Sequence, residues 1–565
     1  MNSQIPIDQQ LGDALRHAVA QLLDGQPADQ RQALVTESAQ RWEIPKDPSF
    51  GDLSNSLAFK LASARRQAPP IIADLLSKTF LASCRAIRLE PWVERVETKA
   101  GYLNVFLSQE ALIQVLRGVL ARGPQYGAAQ TTPAPSINIE FVSANPTGPL
   151  SVAHGRQAVV GDVLARLLRS QGWQVTTEYY LNDEGRQVEQ LGRSLRVRYV
   201  QLFGRDQAIP EDGYHGAYLC TVAEACQATF GDRLVEPPES DTLPTFMAFA
   251  KEQLLACIRQ DLAAGGLTFD QWTSQTWLRT SGRLEAALEQ LRARGALYEA
   301  EDATWLASTT FGDDKDRVVR KRDGELTYLA PDIAYHQWKF ERGYDHLLNL
   351  WGPDHHGYIA RVKAAIAALG LPADRLQVRI VQLVTLSRHG TVVPMSKRQG
   401  EFVTFREIMD EVGVDATRFF YLMRTMDSQL DFDLELAKSQ SQENPVYYVQ
   451  YAHARICSIL AKAGETLQTL SPPFERLQAE EERLLVRTIF QYPIILRMCA
   501  GALEPHGVTT YLRKLAEVFH VFYTKHRVIT DDQEQSAARL ALIMATRHTL
   551  ANGLGVLGIS APDRM

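Results

Sequence analysis

The stretch from Ile137 to Leu181 restricts the fold of this chain more than any other. Ile137, Ile139, Phe141 and Val142 make a short apolar run of strand type, and Asn145-Pro146-Thr147-Gly148-Pro149 makes a turn. From about Val152 the spacing predicts a helix with Val160, Val163, Leu164, Leu167 and Leu168 on one face, ending at Gly172. Trp173 to Leu181 is the next strand. Strand, helix and strand in that order form a right-handed βαβ unit, so the chain is committed to a parallel sheet covered by helices.

The same pattern resumes at Leu347 to Trp351, followed by a helix carrying Ile359, Val362, Ile366 and Leu369 up to Gly370, then a strand from Ile380 to Leu386. Between the two halves, about 185–310 reads as mostly helical. The first 110 residues or so read as α+β. A helix around Leu11, Leu15, Val19 and Leu22 leads them, and Val96 to Leu107 closes them as paired strands around a Gly turn. Gln130 to Pro135, with two prolines, reads as a linker. Past about 440 strand signals vanish. The expected architecture is a multidomain α/β chain of four parts. These are a small α+β N-terminal domain (1–115), a Rossmann-type parallel-sheet domain (134–400) with the helical insertion, a connecting stem (401–440) and an all-α C-terminal domain (441–565).

The chain has 565 residues, so three or four domains of roughly 150 residues each are expected. Its net charge of −6 means that any RNA contact must use local Lys/Arg patches on an acidic body. The six cysteines show no CxxC pair and no zinc-ligand spacing, so free thiols and no bound metal are expected. The polar start lacks a signal sequence, and no apolar run approaches the ~20 residues of a membrane span. A soluble, cytoplasmic protein with no membrane partner is the expectation.

Three places carry candidate chemistry. Ligands of open α/β sheets bind at the carboxyl ends of the strands, where helix N-termini offer N–H groups to anions. Ser143 to Arg156 occupies that position, with His154 in the first helical turn. The pattern fits equally a helix start with a surface histidine. Ser387 to Gly400 is a Gly-flanked basic loop in which Lys397 could meet polyphosphate oxygens; taken locally it also fits a solvated hairpin. The capping box Thr404-x-x-Glu407 starts a helix after it. Tyr328 to Tyr335 places Asp332 to receive a cationic group or to cap a helix. Asp354-His355-His356 point in divergent directions at a helix start, which argues against a metal.

These blocks together resemble the class I aminoacyl-tRNA synthetases, and specifically the bacterial-type arginyl-tRNA synthetases, over essentially the whole chain. Glu140 leads through Ser143, Ala144, Asn145, Pro146, Thr147, Gly148, Pro149 and Leu150 into a motif of the HIGH type, here Ser151-Val152-Ala153-His154. Tyr179 to Gly185, Phe311 to Arg317 and Asp332 to Tyr335 are similar to further family blocks. Met395-Ser396-Lys397-Arg398 resembles the KMSKS loop, Asp415 to Arg418 the DALR signature, and Glu443 to Ala452 and Gly558 to Met565 the segments after it.

The resemblance implies activation of arginine by ATP with Mg2+, then transfer of the arginyl group to tRNA(Arg) by a monomer. It implies His154, Lys397 and Ser151 as catalytic residues. Pro149, Leu150, Ser151, His154, Gly155, Gly352, Met395, Ser396 and Lys397 would bind ATP. Ser143 and Asn145 would hold the amino end of arginine; Gln275, Tyr328 and Asp332 would hold its guanidinium. The N-terminal domain would touch the tRNA elbow. The C-terminal helices would read the anticodon, with Arg513, Lys514, Tyr523, Lys525, His526 and Arg527 suited to phosphate contact and stacking or forming a solvated helix face.

Ser151, Ala153, Pro394 and Gln275 depart from the family pattern. Ser151 stands for the first histidine of the motif and Ala153 for its glycine; losing one phosphate contact would cost on the order of 10²-fold in rate. Pro394 stands for the first lysine of the loop. Gly148 stands where some relatives that lack the loop lysine carry a compensating one, although Lys397 itself is kept. Gln275 replaces a glutamate that helps bind the guanidinium, so weaker arginine binding is expected. The competing expectations are a catalytically impaired paralogue that binds tRNA or amino acid in a regulatory role, and an ATP-dependent ligase acting without tRNA.

Overall fold

The computed structural model describes residues 6–24, 34–35, 42–129, 133–393, 402–468 and 472–565, with side chains of the 402–468 segment described to 463. Gln130 to Thr132 of the expected linker and Pro394 to Gly400 of the lysine loop lie outside the described residues.

The βαβ unit forms as β1 (Ser136–Glu140), α1 (Val152–Ser170) and β2 (Gln174–Leu181). The five apolar residues expected on the inner face of α1 are buried, and Gly172 ends the helical run at φ +84°. Gly161 lets α1 lie against β1: a Cβ there would fall 2.2 Å from the Phe141 ring, which no side chain tolerates without displacement. Further on come β3 (Gln271–Ser274), α2 (Leu329–Glu341), β4 (His346–Trp351), α3 (Ile359–Ala368) and β5 (Leu376–Ile380). The five strands are parallel in the order β5-β4-β1-β2-β3. The chain builds outward from β1 to β3, then crosses to β4 on the other side of β1. That reversal opens the crevice in which sheets of this kind bind ligands.

One expectation needs correction. The strand read as Ile380 to Leu386 is two strands in different sheets. β5 ends at Ile380, and β6 (Val384–Arg388) pairs with β7 (Thr391–Val392) and β8 (Leu430–Asp433). The buried guanidinium of Arg156 forces the break. It donates to the carbonyls of Gln382 (2.9 Å), Ser428 (2.8 Å) and Thr425 (2.8 Å), drawing the chain away from the parallel sheet. The interval 185–310 is mostly helical, as read, and holds short strands besides. Arg186–Gln201, Tyr218–Phe230 and Glu239–Ala264 are helices with their own core around Leu191, Tyr199 and Phe246. The chain then returns to the sheet as β3. Leu297–Ala300, Ala303–Leu306 and Arg317–Arg320 form a separate antiparallel sheet.

In the N-terminal part, Ile7–Leu22 leads and the strands Val93–Lys99 and Tyr102–Leu107 close, joined by Ala100 (φ +51°) and Gly101 (φ +89°). Among the described residues beyond 444 the long elements are four helices, Pro445–Gln468, Glu480–Ala502, His506–Lys525 and Gln533–Val556. Glu480–Ala502 is long and apolar enough to cross a bilayer by length and composition, but Leu485, Ile489, Phe490 and Leu496 are buried in the bundle. Arg418 joins the parts: fully buried, it donates to the carbonyls of Leu557 (2.9 Å) and Gly265 (3.0 Å) and pairs with Asp162 of α1.

Candidate active site

The first corner of the site is the N-terminus of α1. Ser151 is its N-cap, in extended conformation. Its backbone N–H donates to Nδ1 of His154 (3.2 Å), and its hydroxyl lies at 3.2 Å from the same atom. A ring nitrogen that accepts from an amide carries no proton, so the imidazole proton is on Nε2. The serine at the first motif position therefore orients the histidine at the last. Ala153 is half-buried in the same turn.

This turn is stapled to the chain emerging from the lysine loop. Phe405 N–H donates to Leu150 O (2.8 Å), and Ser151 pairs with Thr404 as an antiparallel bridge. The capping box forms as expected: Thr404 N–H donates to Glu407 (2.7 Å) and Glu407 N–H to Thr404 Oγ1 (3.1 Å), starting α4 (Phe405–Val412). Gly155 lets the two segments meet, since a Cβ there would stand 2.4 Å from the Phe405 ring. Gly155→Ala is expected to raise the KM for ATP about tenfold and lower the melting temperature by a few degrees, the usual cost of overpacking being about 1–3 kcal/mol. Steady-state kinetics and calorimetry check it. Met395, Ser396 and Lys397 lie outside the described residues.

The second corner is at the carboxyl end of β1. Val142 (φ +67°) and Ser143 (φ +42°) are consecutive non-glycine residues in the left-handed region, a strained conformation that persists only where surroundings enforce it. Ser143 supplies the enforcement: its hydroxyl donates to Glu140 Oε1 (3.0 Å) and accepts from Tyr180 N–H (3.1 Å). Asn145 Nδ2 donates to Gln187 (2.5 Å), and Tyr218 OH donates to Thr147 O (2.6 Å). Pro149 and Leu150 complete the turn into α1, Leu150 fully buried. Across the crevice Gly352 follows β4, and a Cβ there would meet Asp354 at 2.6 Å and Gln157 at 3.3 Å.

Below this floor runs a buried polar chain. Lys339 Nζ donates to Glu140 Oε2 (2.6 Å) and Asn349 Oδ1 (2.8 Å); Asn349 Nδ2 faces His336 Nε2 (2.9 Å), and His336 Nδ1 faces Asp332 O (2.8 Å). Burial above all, with Lys339 beside it, pushes His336 down to about 3, so the ring is neutral with its proton on Nδ1.

Asp332 sits at the N-terminal end of α2 and accepts from Tyr358 OH (2.6 Å), in the turn after β4. That bond places the carboxyl at the same edge of the sheet as Ser143 and Gly352. Burial pushes Asp332 up to about 7; Tyr358 pulls it down, Glu140 pushes it up and Lys339 pulls it down. Among the described residues no cation lies within ion-pair distance of it. Tyr180 stacks on Tyr335 (4.3 Å between ring centres) and donates to Gln275 Oε1 (3.1 Å), whose Nε2 donates to Glu184 (3.2 Å). Tyr328, expected at the guanidinium, is 66% exposed at the N-cap of α2, whereas Tyr180 and Gln275 are buried.

Sequence reasoning gave no role to Lys339, His336, Asn349 or Tyr358, and took Tyr180 and Glu184 only as part of the Tyr179 to Gly185 block. A signal was present for three of them. Asn349 is the lone polar residue in Leu347-Leu348-Asn349-Leu350, and His336 and Lys339 follow Asp332 by four and seven positions on one helix.

Elsewhere, all six cysteines are unpaired; Cys84, Cys226 and Cys499 are buried and the others half-buried. Among the described residues, His453, Cys457 and Asp563 are the one grouping with metal-ligand chemistry. Each has a hydrogen-bond partner: His453 Nδ1 faces Pro562 O (3.0 Å) and Cys457 Sγ donates to Asp563 (3.2 Å), while burial pushes the thiol up to about 11. On the C-terminal bundle, Arg513, Lys514, Lys525 and Arg527 are exposed, while Lys525 and His526 both bind Glu481 and Tyr523 lies under Arg455.

Family models match most of the chain: an arginyl-tRNA synthetase N-terminal domain over 9–107, a class I (R) tRNA synthetase catalytic domain over 115–205 and 275–430, and a DALR anticodon-binding domain over 449–565. The arginine–tRNA ligase of Bacillus subtilis is 44% identical over 529 residues, covering 93% of this chain and 94% of that protein. That of Geobacillus thermodenitrificans is 44% identical over 528 residues with the same coverage. The solved arginyl-tRNA synthetase of Thermus thermophilus shares the fold, with a TM-score of 0.76 over 98% of this chain and all of that one at 23% identity. With three domain types matched in order along a Rossmann-type chain whose crevice holds an oriented histidine and an unpaired carboxyl, this protein belongs to the class I arginyl-tRNA synthetase family.

Proposed function

We propose that the residues assembled at the β1/β4 crevice carry out arginine–tRNA ligation. A carboxylate oxygen of arginine attacks the α-phosphorus of ATP, pyrophosphate leaves, and a hydroxyl of the terminal tRNA adenosine takes the arginyl group from the adenylate with release of AMP. Mg2+ enters as part of the nucleotide substrate. Positioning and fixed charge supply most of the acceleration in such transfers.

His154 presents Nε2–H to the phosphates at a helix N-terminus, which favours anions through its unpaired N–H groups. Ser151 keeps the ring in that tautomer. Pro149, Leu150, Gly155 and Gly352 shape the nucleotide floor, and Lys397, with Met395 and Ser396 beside it, adds positive charge as the α-phosphate becomes five-coordinate. Ser143 and Asn145 take the amino end of arginine, and Asp332 takes the guanidinium, with Tyr328 at the mouth. Residues 1–115 contact the tRNA elbow, 134–400 hold the reaction, 401–440 connect, and 441–565 read the anticodon. The six unpaired thiols suit a reducing cytoplasm, and a single chain with both tRNA-facing parts suits a monomer.

The observation that carries this reading is Asp332: an enclosed carboxyl, anchored by Tyr358 and lacking a cation, at the edge of the sheet where His154 stands. No observation favours the impaired paralogue: at Ser151, one of the four altered positions behind it, the backbone N–H still orients His154 at the start of α1. Charging of tRNA(Arg) with labelled arginine, dependent on ATP, is the test; no charging by folded protein overturns it.

A pH dependence follows. The guanidinium binds the ionised form of Asp332, and burial holds that carboxyl at about 7 in the free protein. Protons therefore compete with arginine below that pH. The arginine KM is expected to rise by about tenfold per unit as pH falls from 6.5 toward 5 (~6.5 to ~5), with kcat at saturating arginine changing far less. A KM flat across that range would remove Asp332 from the arginine site.

A further inference from the structure

We propose that Glu184 is a positioning residue for arginine selectivity, acting by fixing which end of the Gln275 amide faces the substrate. This rests on the reading of the Asp332 pocket as the arginine site.

Gln275 follows β3 directly and is buried. An amide has an acceptor at one end and donors at the other, and both orientations fill the same space. A guanidinium carries five N–H donors and no acceptor, so only Oε1 turned toward it is useful. Turned the other way, donors and partial positive charge would face a cation. The neighbours of Gln275 decide between the two. Tyr180 OH, 3.1 Å from Oε1, does not choose, because a hydroxyl serves as donor or acceptor alike. Glu184, 3.2 Å from Nε2, does choose: an ionised carboxylate only accepts, so it requires the NH2 end.

Glu184 is itself held in place. Its other oxygen accepts from Arg279 Nε at 2.8 Å. Asp183 beside it accepts from Thr276 N–H and Thr276 Oγ1, both at 3.0 Å, and from Ser274 Oγ at 2.9 Å. The turn after β2 and the helix start after β3 thus form one unit, in which Glu184 and Gln275 keep their spacing. Tyr180 binds Gln275 and stacks on Tyr335 of α2, the helix whose N-terminal end carries Asp332; burial above all, then the charges of Asp332, Glu140, Asp183 and Glu184, keeps its hydroxyl protonated. The pocket so has one carboxylate facing the guanidinium directly and a second acting through an amide whose carbonyl it polarises. Gln275, which by resemblance alone looked like a lost charge, keeps a negative neighbour one hydrogen bond away.

The test is a cycle of variants read by arginine-dependent ATP–pyrophosphate exchange on the full chain. In Glu184→Gln the neighbour offers both a donor and an acceptor, so the orientation of Gln275 is no longer fixed. The expected result is an arginine KM about tenfold higher, with kcat and the KM for ATP within about twofold of wild type. Gln275→Glu alone sets two carboxylates side by side and is also expected to raise the arginine KM. The double variant Glu184→Gln/Gln275→Glu needs no aiming and is expected to return to within about threefold of wild type. A structural role for Glu184 would not be rescued by changing residue 275. The proposal is overturned if Glu184→Gln binds arginine normally, or if the double variant is no better than the singles. Absence of arginine-dependent exchange in the wild type would overturn the pocket reading itself, a distinct outcome.

Discussion

Asp332→Asn is expected to raise the arginine KM by about 10²-fold or more while leaving the KM for ATP near its wild-type value. Asn keeps the shape and the hydrogen bond from Tyr358 but removes the charge that receives the guanidinium. Truncating one partner of a buried, hydrogen-bonded charge pair costs about 2–5 kcal/mol, and a 10²-fold change corresponds to about 2.7 kcal/mol. Stability should move the other way. The carboxyl is raised in the folded protein from its ordinary 3.8 to about 7, so its ionisation penalises folding. That penalty is absent below the unfolded pKa, grows as pH rises between the two values, and is complete above about 7. At pH 8, therefore, Asp332→Asn should melt no lower than wild type and is expected to melt higher. A variant that loses arginine binding and stability together would contradict this account.

Lys339→Met carries the largest expected effect on stability. Lys339 has no exposed surface and is the cation of Glu140, itself buried and directly bonded to Ser143. Removing one partner of such a pair costs about 3–5 kcal/mol because the other is left buried and uncompensated. The melting transition is expected to fall by about 10 °C. Because Glu140 positions Ser143 at the amino end of the pocket, the arginine KM should rise as well. Glu140→Gln on the Lys339→Met background should recover part of the lost stability, since removing both charges is far less costly than removing one. Calorimetry of the two singles and the double settles it; strictly additive losses would mean that the pair is not coupled.

The legible parts of this molecule were those with local rules. The strand–turn–helix of 137–172 was readable because α1 buries a regular stripe and ends at a glycine that adopts positive φ. The Thr404/Glu407 capping box was readable because both partners are three residues apart. What was not legible depended on distant partners. β3 is four residues of mixed polarity, Gln271-Trp272-Thr273-Ser274, and becomes a strand only by pairing with β2. The split between β5 and β6 comes from Arg156, more than 220 residues upstream of the carbonyls it binds at 382 and 383.

The site followed the same division. His154 and Asp332 stand at helix ends, where local pattern and motif both point. What surrounds Ser151 and Gln275 is set by distant neighbours, which the local sequence does not show. At Ser151 it is the backbone N–H, which a histidine there would equally supply, that fixes the tautomer of His154. A glutamine in place of a glutamate reads as a lost charge until Glu184 appears beside it.

Arginine-dependent ATP–pyrophosphate exchange with purified protein, with and without tRNA(Arg), decides whether this crevice activates arginine despite its variant motif. The account predicts exchange with arginine in the presence of tRNA(Arg), and its loss by on the order of 10²-fold in His154→Ala. Folded protein that binds tRNA(Arg) yet exchanges with no amino acid would contradict it.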